Sequence, residues 1–399
     1  MNKKKYERIL LSHGGGGKET SELIGGTIFN GLYGQDAGKD YFYRSNNGGG
    51  LNNGVNNGVN NGVNIGVNNG VSNEGGGISA GISNQKINLL EDAAVLKSPQ
   101  KIAFTTDGFT VSPVFFKGGD IGKLSVAGTV NDLSVMGAKP LFLSLGLIIE
   151  EGFALDDLRK IIKSISEEAA KTGVRVATGD TKVVPAGKAD GIFINTSGIG
   201  EILYGGISVY NIEDGDIIIV SGNVGDHGAA VMSQREGIEM DVEIESDCAS
   251  LWGMINAVLS GGIKVKAVRD ATRGGLAAVL NEWAMAADID IYAEEDKIPV
   301  SGPVKGFCEL LGFEPYQLAC EGRAVFAVKP EFAEKTIGIL RSHPLGKNAN
   351  IIGTAVARIK RKSADGGRNN SSGKVILKGI YEVDRILDYP SGELLPRIC

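Results

Sequence analysis

The sequence predicts an α/β (α+β) protein of two units, with a low-complexity insertion inside the first. Three observations carry that expectation. Period-two apolar runs alternate with helical apolar stripes over most of the chain, and the series restarts near Asp216. The 399 residues, 42% of them hydrophobic, suffice for two cores at ~100–200 residues per domain. At residues 46–85 the pattern stops, and the tetrapeptide Asn-Asn-Gly-Val occupies 52–55, 56–59, 60–63 and 68–71. Such a segment offers little apolar area against the entropy of ordering it, so it reads as a weakly ordered surface insertion. A stacked β repeat built on asparagine ladders is the alternative.

In the first unit, Ile102 and Phe104 alternate with polar or small neighbours towards Asp107, a strand that finishes on an acid. Ile121, Leu124, Ala127 and Val130 keep helical spacing up to Asn131–Asp132. Residues 142–149 have the composition of a buried strand. Leu158, Ile161, Ile162, Ile165 and Ala169 form an amphipathic stripe, opened by Asp156 and Asp157 and closed by Gly173. Strands are expected at 175–177 and 192–196. The second unit opens with a strand at 217–221 and a helix from about Gly228. Helices near 250–259, 275–287 and 331–342 then alternate with strands near Ile291, 324–328 and 351–356. The join between the two halves is expected near 203–215. Residues 366–373 read as a surface loop, and 389–399, with two prolines and a glycine, as a mobile tail.

Formal net charge is −6, from 41 Lys and Arg against 47 Asp and Glu, with no long run of one sign. That balance argues against a nucleic-acid partner, whose phosphates require a dense basic surface. The apolar run at 9–11 is too short for the core of a signal peptide, and nothing approaches the ~20 apolar residues of a membrane span. A cytoplasmic protein with no membrane partner is expected. Cys248, Cys308, Cys320 and Cys399 form no CxxC pair, which removes the common zinc and redox motifs. The first three read as inert core thiols, kept reduced in the cytosol. Cys399 stands at the chain's end, after Pro396-Arg397-Ile398. The adjacent terminal carboxylate should raise its pKa, with Arg397 opposing. A thiol on a free end can enter its own active site and then a partner's; on sequence alone, a chance tail cysteine is equally open.

Acids beside small or hydroxyl residues recur at element ends: Asp92 in Glu-Asp-Ala-Ala-Val, Asp107 in Thr-Thr-Asp-Gly, Asp132 in Val-Asn-Asp-Leu and Asp180 in Thr-Gly-Asp-Thr-Lys. Magnesium carrying a nucleotide takes a few carboxylate oxygens, and small neighbours let phosphate approach. Any one of these could be a turn or cap aspartate; the four contexts together point to a Mg-ATP site. In His13-Gly14-Gly15-Gly16-Gly17-Lys18, Gly16 and Gly17 could offer backbone amides to phosphate. The spacing is not that of a P-loop, since Glu19 follows Lys18, and a flexible entry loop stays open. Lys123, a helical turn past Gly119–Asp120, reads equally as a phosphate contact or a solvated lysine. Arg269-Asp270-Ala271-Thr272-Arg273-Gly274-Gly275 ends one element and starts a helix. The first amides of that helix favour an anion, and Arg273 adds a forked cation. N-capping by Thr272 is compatible with either reading.

Together these motifs resemble the HypE family of nickel–iron hydrogenase maturation proteins. The matching pieces are Leu11 to Lys18, Glu91 to Val95, Thr105 to Phe109, Gly118 to Leu124 running on through Thr129 to Ala138, Gly179 to Val183, Asp270 to Gly275 and the terminal Pro396-Arg397-Ile398-Cys399. The likeness covers nearly the whole chain outside the Asn/Gly insertion and 360–373. The acidic motifs are common to the wider PurM-like ATP-binding superfamily, and the terminal tetrapeptide singles out HypE. The resemblance implies a PurM-like fold, with an N-terminal ATP-binding domain at 1–45 and 86–202 split by the 46–85 insertion. That domain would pair with its copy in a homodimer with a barrel-like interface. A C-terminal domain at 203–388 and a flexible tail at 389–399 follow. The reaction implied is that of a carbamoyl dehydratase. HypF loads a carbamoyl group on Cys399, ATP drives its dehydration to a thiocyanate, and the cyanide passes to iron held by a HypC–HypD complex. By the same resemblance Asp92, Asp107, Asp132 and Asp180 would hold Mg2+. They would bind ATP with Lys123, Asn131, Gly16, Gly17, Asp270 and Arg273. Glu321, in Cys320-Glu321-Gly322-Arg323, and Lys182 would act beside Cys399. The insertion between Glu19 and Asp92 departs from the family pattern. Two alternatives stay open: another PurM-like synthetase of the selenophosphate or aminoimidazole ribonucleotide type, or a non-catalytic scaffold offering a thiol. The segment 13–20 lacks the reactive cysteine expected of a selenophosphate synthetase.

Overall fold

The structure, a computed structural model, describes residues 8–14, 18–34, 96, 98–238, 242–358, 372–379, 383–391 and 397–399. The insertion at 46–85, Asp92, Gly16, Gly17 and most of 366–373 lie outside the described residues. In chain order the elements begin with α1 (Lys18–Leu23), a π-helical turn (Ile24–Phe29) and α2 (Asn30–Tyr33). Then come β1 (Ile102–Phe109), the short β2 (Phe115–Phe116) and β3 (Gly119–Asp120), α3 (Ile121–Val135), β4 (Ala138–Glu150), α4 (Leu155–Thr172), β5 (Arg175–Val184) and β6 (Ile192–Ile202). They continue with β7 (Ile217–Val220), α5 (Asp226–Arg235), α6 (Trp252–Ser260), β8 (Val265–Asp270), α7 (Gly275–Ala287) and β9 (Ile289–Glu294). The last are α8 (Gly302–Leu311), β10 (Ala324–Val328), α9 (Pro330–Ser342), β11 (Asn350–Ala357), β12 (Val375–Lys378) and β13 (Asp384–Ile386). One sheet is ordered β1-β6-β4-β5 and a larger one β13-β12-β9-β11-β7-β10-β8. The described residues fall into two compact units, one within 1–100 and 141–195, the other within 101–140 and 196–399.

In the first unit β4 runs parallel to β5, from Phe142 opposite Arg175 to Glu150 opposite Val184. The crossover is α4, whose stripe of Leu158, Ile161, Ile162 and Ile165 is fully buried. Asp156 and Asp157 sit in its first turn, where the helix dipole favours acids, and Gly173 ends it in the left-handed conformation at φ 74. β5 outruns the 175–177 expected for it. Its backbone ladder with β4 continues through Thr178, Asp180 and Lys182, whose side chains carry no apolar signal. Ile9 is wholly buried against this unit, its N–H donating to the Phe153 carbonyl at 2.8 Å.

In the second unit β10 lies between β7 and β8, antiparallel to both, and β12 pairs parallel with β9. Every residue of β10 is buried, because the sheet is covered on both faces. Val325 and Ala327 join the core that holds Leu280 and Trp283 of α7. Ala324, Phe326 and Val328 join the core of Met254, Ile255 and Val258 from α6 and Ile337 and Leu340 from α9. Two-sided burial explains why this strand reads as a continuous apolar run, and Phe326→Ala there would cost about 3–5 kcal/mol. β8 is the edge strand, and its interleaved Lys266 and Arg269 hid it from a periodicity reading. α3 also belongs to this unit. Asp120 caps it, Oδ1 accepting from the N–H groups of Gly122 at 2.7 Å and Lys123 at 2.9 Å. Nearly all of α3 is buried, Ser125, Thr129, Asn131 and Ser134 included. A helix buried all round has its packing partners on every side. Residues 101–140 therefore group with the second unit, although the sequence motifs suggest a join near 203–215.

Candidate active site

Four acids come together in the second unit. β1 delivers Asp107, α3 delivers Asp132, β8 ends on Asp270, and the turn before β10 carries Glu321. Thr129 Oγ1 donates to Asp107 Oδ2 at 3.0 Å, and Thr105 Oγ1 donates to Asp132 Oδ2 at 2.7 Å. Burial, and then the neighbouring Asp132, push Asp107 up to about 6. Burial raises Asp132, opposed by the Thr105 hydrogen bond and the Arg269 charge. Burial and the Asp132 charge push Asp270 up to about 7. Glu321 is pushed well above the carboxylate range by burial, then by Asp270, Asp247, Asp107 and Asp132. Its Oε1 is buried with no hydrogen-bond partner among the described residues.

The backbone around Glu321 is held from two sides. Asp247 accepts from the Glu321 N–H at 2.9 Å through Oδ1 and from the Gly322 N–H at 3.3 Å through Oδ2. A Cβ on residue 322 would lie 1.9 Å from the Asp247 carbonyl oxygen, so this position requires glycine. From the other side Asn131 Nδ2 donates to the carbonyls of Ala249 at 3.1 Å and Glu321 at 3.3 Å. Asn131 Oδ1 accepts from the Leu251 N–H at 2.7 Å. The side chain is wholly buried and its amide is committed at both ends to protein backbone. Asn131, expected at the nucleotide, holds the Glu321 turn through these bonds.

The chain's end is seated beside these acids. Thr110 N–H and Oγ1 donate to the terminal oxygen of Cys399 at 3.0 and 3.2 Å. His227 Nε2 bonds the Ile398 carbonyl at 2.8 Å. Ser112 N–H and Arg235 Nη2 donate to the Arg397 carbonyl at 3.2 and 2.7 Å. Ile398 is 1% exposed. The mobile tail that the prolines predict thus has a defined seat for its last three residues, with 392–396 outside the described residues. Arg273 Nη2 donates to Cys399 Sγ at 3.6 Å. Burial and then the Glu321 charge raise the thiol's pKa, while Arg273 lowers it. Arg273 reaches the thiol from the start of α7, where Gly274, and not Thr272, is the N-cap residue and makes no side-chain cap bond. Cys248, Cys308 and Cys320 are buried and form no disulfide among the described residues, as expected of core thiols.

Asp180 and Lys182 belong to the first unit, where Lys182 Nζ lies 2.9 Å from Asp180 Oδ2 and this bond pulls the carboxyl pKa down. Lys123 Nζ donates to the Gly118 carbonyl at 2.8 Å. Among the described residues no three His, Cys, Asp or Glu side chains form a metal cage. No helix among them is long and apolar enough to cross a membrane. The sequence reading passed over His227, Arg235 and Asp247. One signal was available for the first: His227 is one of only three histidines and opens a helix after Gly225.

Known proteins share this architecture. The chain matches the AIR synthase related protein N-terminal domain over residues 90–202 and the C-terminal domain over 213–363. A putative hydrogenase expression/formation protein of Methanocaldococcus jannaschii is 49% identical over 312 residues, 78% of this chain and 88% of that protein. Carbamoyl dehydratase HypE of Escherichia coli is 43% identical over 315 residues, with the same coverage of 78% and 88%. The crystal structure of hydrogenase maturation protein HypE in complex with ATP is similar with a TM-score of 0.79 at 34% identity, covering 98% of this chain and 99% of that one. A chain of the crystallised HypE–HypF complex is similar at TM-score 0.68 and 48% identity, covering 75% of this chain and 94% of its own.

Proposed function

The chain belongs to the HypE family of hydrogenase maturation proteins, and on that premise we propose that it is an ATP-dependent carbamoyl dehydratase whose substrate rides on its own Cys399. The observation that carries this reading is the seating of the Cys399 thiol beside Arg273 and within the field of the buried Glu321. The balanced reaction converts R–S–C(=O)–NH2 and ATP to R–S–C≡N, ADP and phosphate. An amide oxygen is a poor leaving group, and phosphorylation makes it a good one. The C–O bond then breaks with the electron pair leaving on phosphate, while the nitrogen loses its two protons.

Glu321 is the proposed base. A carboxyl held far above its ordinary range has the proton affinity that a weakly acidic N–H demands, and the contribution of such a base is about 10²–10⁴-fold. Asp247 and Asn131 keep it aimed by fixing its backbone. Arg273, already at Sγ, would face the carbamoyl oxygen as phosphoryl charge builds there. Asp270, whose charge raises Glu321, would lie on the nucleotide side of the base.

Magnesium fits the donors present. Asp107 and Asp132 are hard oxygen ligands, and burial and then the Asp132 charge raise the proton affinity of Asp107, a stress that a divalent cation would relieve. When bound, the ion would neutralise charge on the transferring phosphoryl group. Asp92 and Asp180 complete the proposed set on resemblance alone, as do Lys182 for catalysis and Gly16, Gly17 and Lys123 for the nucleotide.

HypF is the proposed carbamoyl donor and a HypC–HypD complex the proposed cyanide acceptor, in the cytoplasm, where the thiol stays reduced. A homodimer built through the first sheet is supported by β1, which leaves Ile102 47% and Phe104 66% exposed on alternate positions. The test is mass spectrometry of the C-terminal peptide after incubation with HypF, carbamoyl phosphate and ATP. A carbamoyl adduct on Cys399 should lose the mass of one water. An adduct that forms and never loses it would sink the dehydratase reading.

A further inference from the structure

The tail seat reads main chain. The carbonyls of Arg397 and Ile398 and the terminal oxygen of Cys399 are all bonded by residues 110, 112, 227 and 235, and none of those bonds involves the thiol. We propose that His227, oriented by Ser246, is the positioning residue that sets how deeply the tail sits, by donating its Nε2–H to the Ile398 carbonyl.

A carbonyl oxygen can only accept, so Nε2 carries the ring proton in this contact. Nδ1 of the neutral ring is then an acceptor, and Ser246 Oγ lies 2.8 Å from it as donor. Ser246 Oγ in turn accepts the Cys248 N–H at 3.0 Å. The bonds run in one direction, from the Cys248 amide through Ser246 and the imidazole to the tail, and each link fixes the next. The ring is wholly buried and Phe116 meets it edge-on at 5.3 Å between centroids. Ser246 cannot shift either. Its N–H donates to the Lys117 carbonyl at 2.9 Å. Gly118, at φ +89, packs so close that a Cβ there would lie 2.7 Å from the Ser246 carbonyl oxygen. His227 therefore presents a rigid donor at a fixed depth.

One residue further on, Thr110 holds the terminal oxygen of Cys399. With a planar peptide between them, these two anchors fix the Cα of Cys399 and hence the direction of its side chain. The anchors ignore whatever Sγ carries, so the carbamoylated and cyano forms of the tail would sit at the same depth. The inference rests on the reading that Cys399 carries the reacting group in this seat.

The test has two arms. The first is the rate at which iodoacetamide alkylates Cys399 in the full chain, with Cys248, Cys308 and Cys320 buried and silent. His227→Ala should speed alkylation about tenfold, and His227→Gln, which keeps an N–H near the Nε2 position, should return it to within about twofold of wild type. Ser246→Ala, which frees the ring without removing its donor, should fall between. The second arm is single-turnover dehydration of the carbamoylated tail, which should slow in the same order. A folded His227→Ala protein alkylated at the wild-type rate overturns the proposal, as does a glutamine variant as reactive as the alanine one. Should melting curves reveal that His227→Ala does not fold, Ser246→Ala decides alone, and a wild-type rate there overturns it. A wild-type protein that never dehydrates its tail, while the alkylation series behaves as stated, removes the dehydratase reading and leaves the seat intact.

Discussion

Two regions of the second unit treat their polar groups in opposite ways. At the tail seat, each carbonyl of Arg397 and Ile398 and the terminal oxygen of Cys399 has a donor. In the acid cluster, half-buried Asp107 and buried Asp270 and Glu321 have raised proton affinities, and Glu321 Oε1 has no hydrogen-bond partner among the described residues. At the seat every tail carbonyl has its donor, the Arg235 guanidinium among them. In the acid cluster burial and then neighbouring carboxylates raise proton affinities, an electrostatic stress that a cation and a substrate proton would relieve.

The sharpest test of that division is Cys399→Ala. Thiocyanate formation should vanish completely by mass spectrometry of the C-terminal peptide. Nucleotide affinity, measured by titration calorimetry, should stay unchanged, because the seat and the acids are separately built. A large loss of nucleotide binding would break the comparison. Next in size is Glu321→Gln, which should slow single-turnover dehydration about 10²–10⁴-fold while leaving the melting temperature equal or higher, since the amide is neutral where the carboxyl already resists ionising. A rate within about tenfold of wild type would remove Glu321 as the base.

The third prediction concerns pH. Asp107 titrates at about 6 and Asp270 at about 7, both raised chiefly by burial. Below the ordinary carboxylate range the folded and unfolded chains are both protonated, and nothing is lost. As pH rises, the unfolded chain releases protons that the folded one retains, so stability falls up to a pH of about 7 and then levels. Melting temperature without ligand should therefore decline across that window. Asp107→Asn combined with Asp270→Asn should flatten the decline, and Mg-ATP should stabilise more above the window than below it. The smallest expected effect is Asn131→Ala, a loss of about 1–3 kcal/mol in denaturant melts as the Leu251 amide loses its acceptor. Dehydration should slow with it, through the loosened Glu321 turn. An unchanged nucleotide affinity would separate this positioning role from nucleotide contact.

Much of the fold was legible in advance. The stripe from Leu158 to Ala169 with its Gly173 stop became α4, and 275–287 and 324–328 became α7 and β10 with the bounds expected. The elements that escaped were those whose ladders run through polar residues, such as the outer half of β5, or that lie at an edge, such as β8. In the site, Asp107, Asp132 and Cys399 stood out only when the acidic contexts were taken together and with the resemblance, which alone supplied Glu321. Asn131 was singled out for the nucleotide, while its bonds to the backbone at Glu321 and Leu251 gave no sequence signal. His227, Ser246 and Asp247 drew no notice, since nothing in their local context marks a contact made across the chain.

The sequence by itself determined which faces are buried and where the acids fall along the elements, because these follow from backbone periodicity within a few residues. Only the tertiary structure decided which of those residues meet. His227 and Ile398 are 171 positions apart, and Asn131 and Glu321 are 190. Partners at such separations are selected by how whole elements pack, and the periodicity of a single strand or helix carries no record of the element that packs against it.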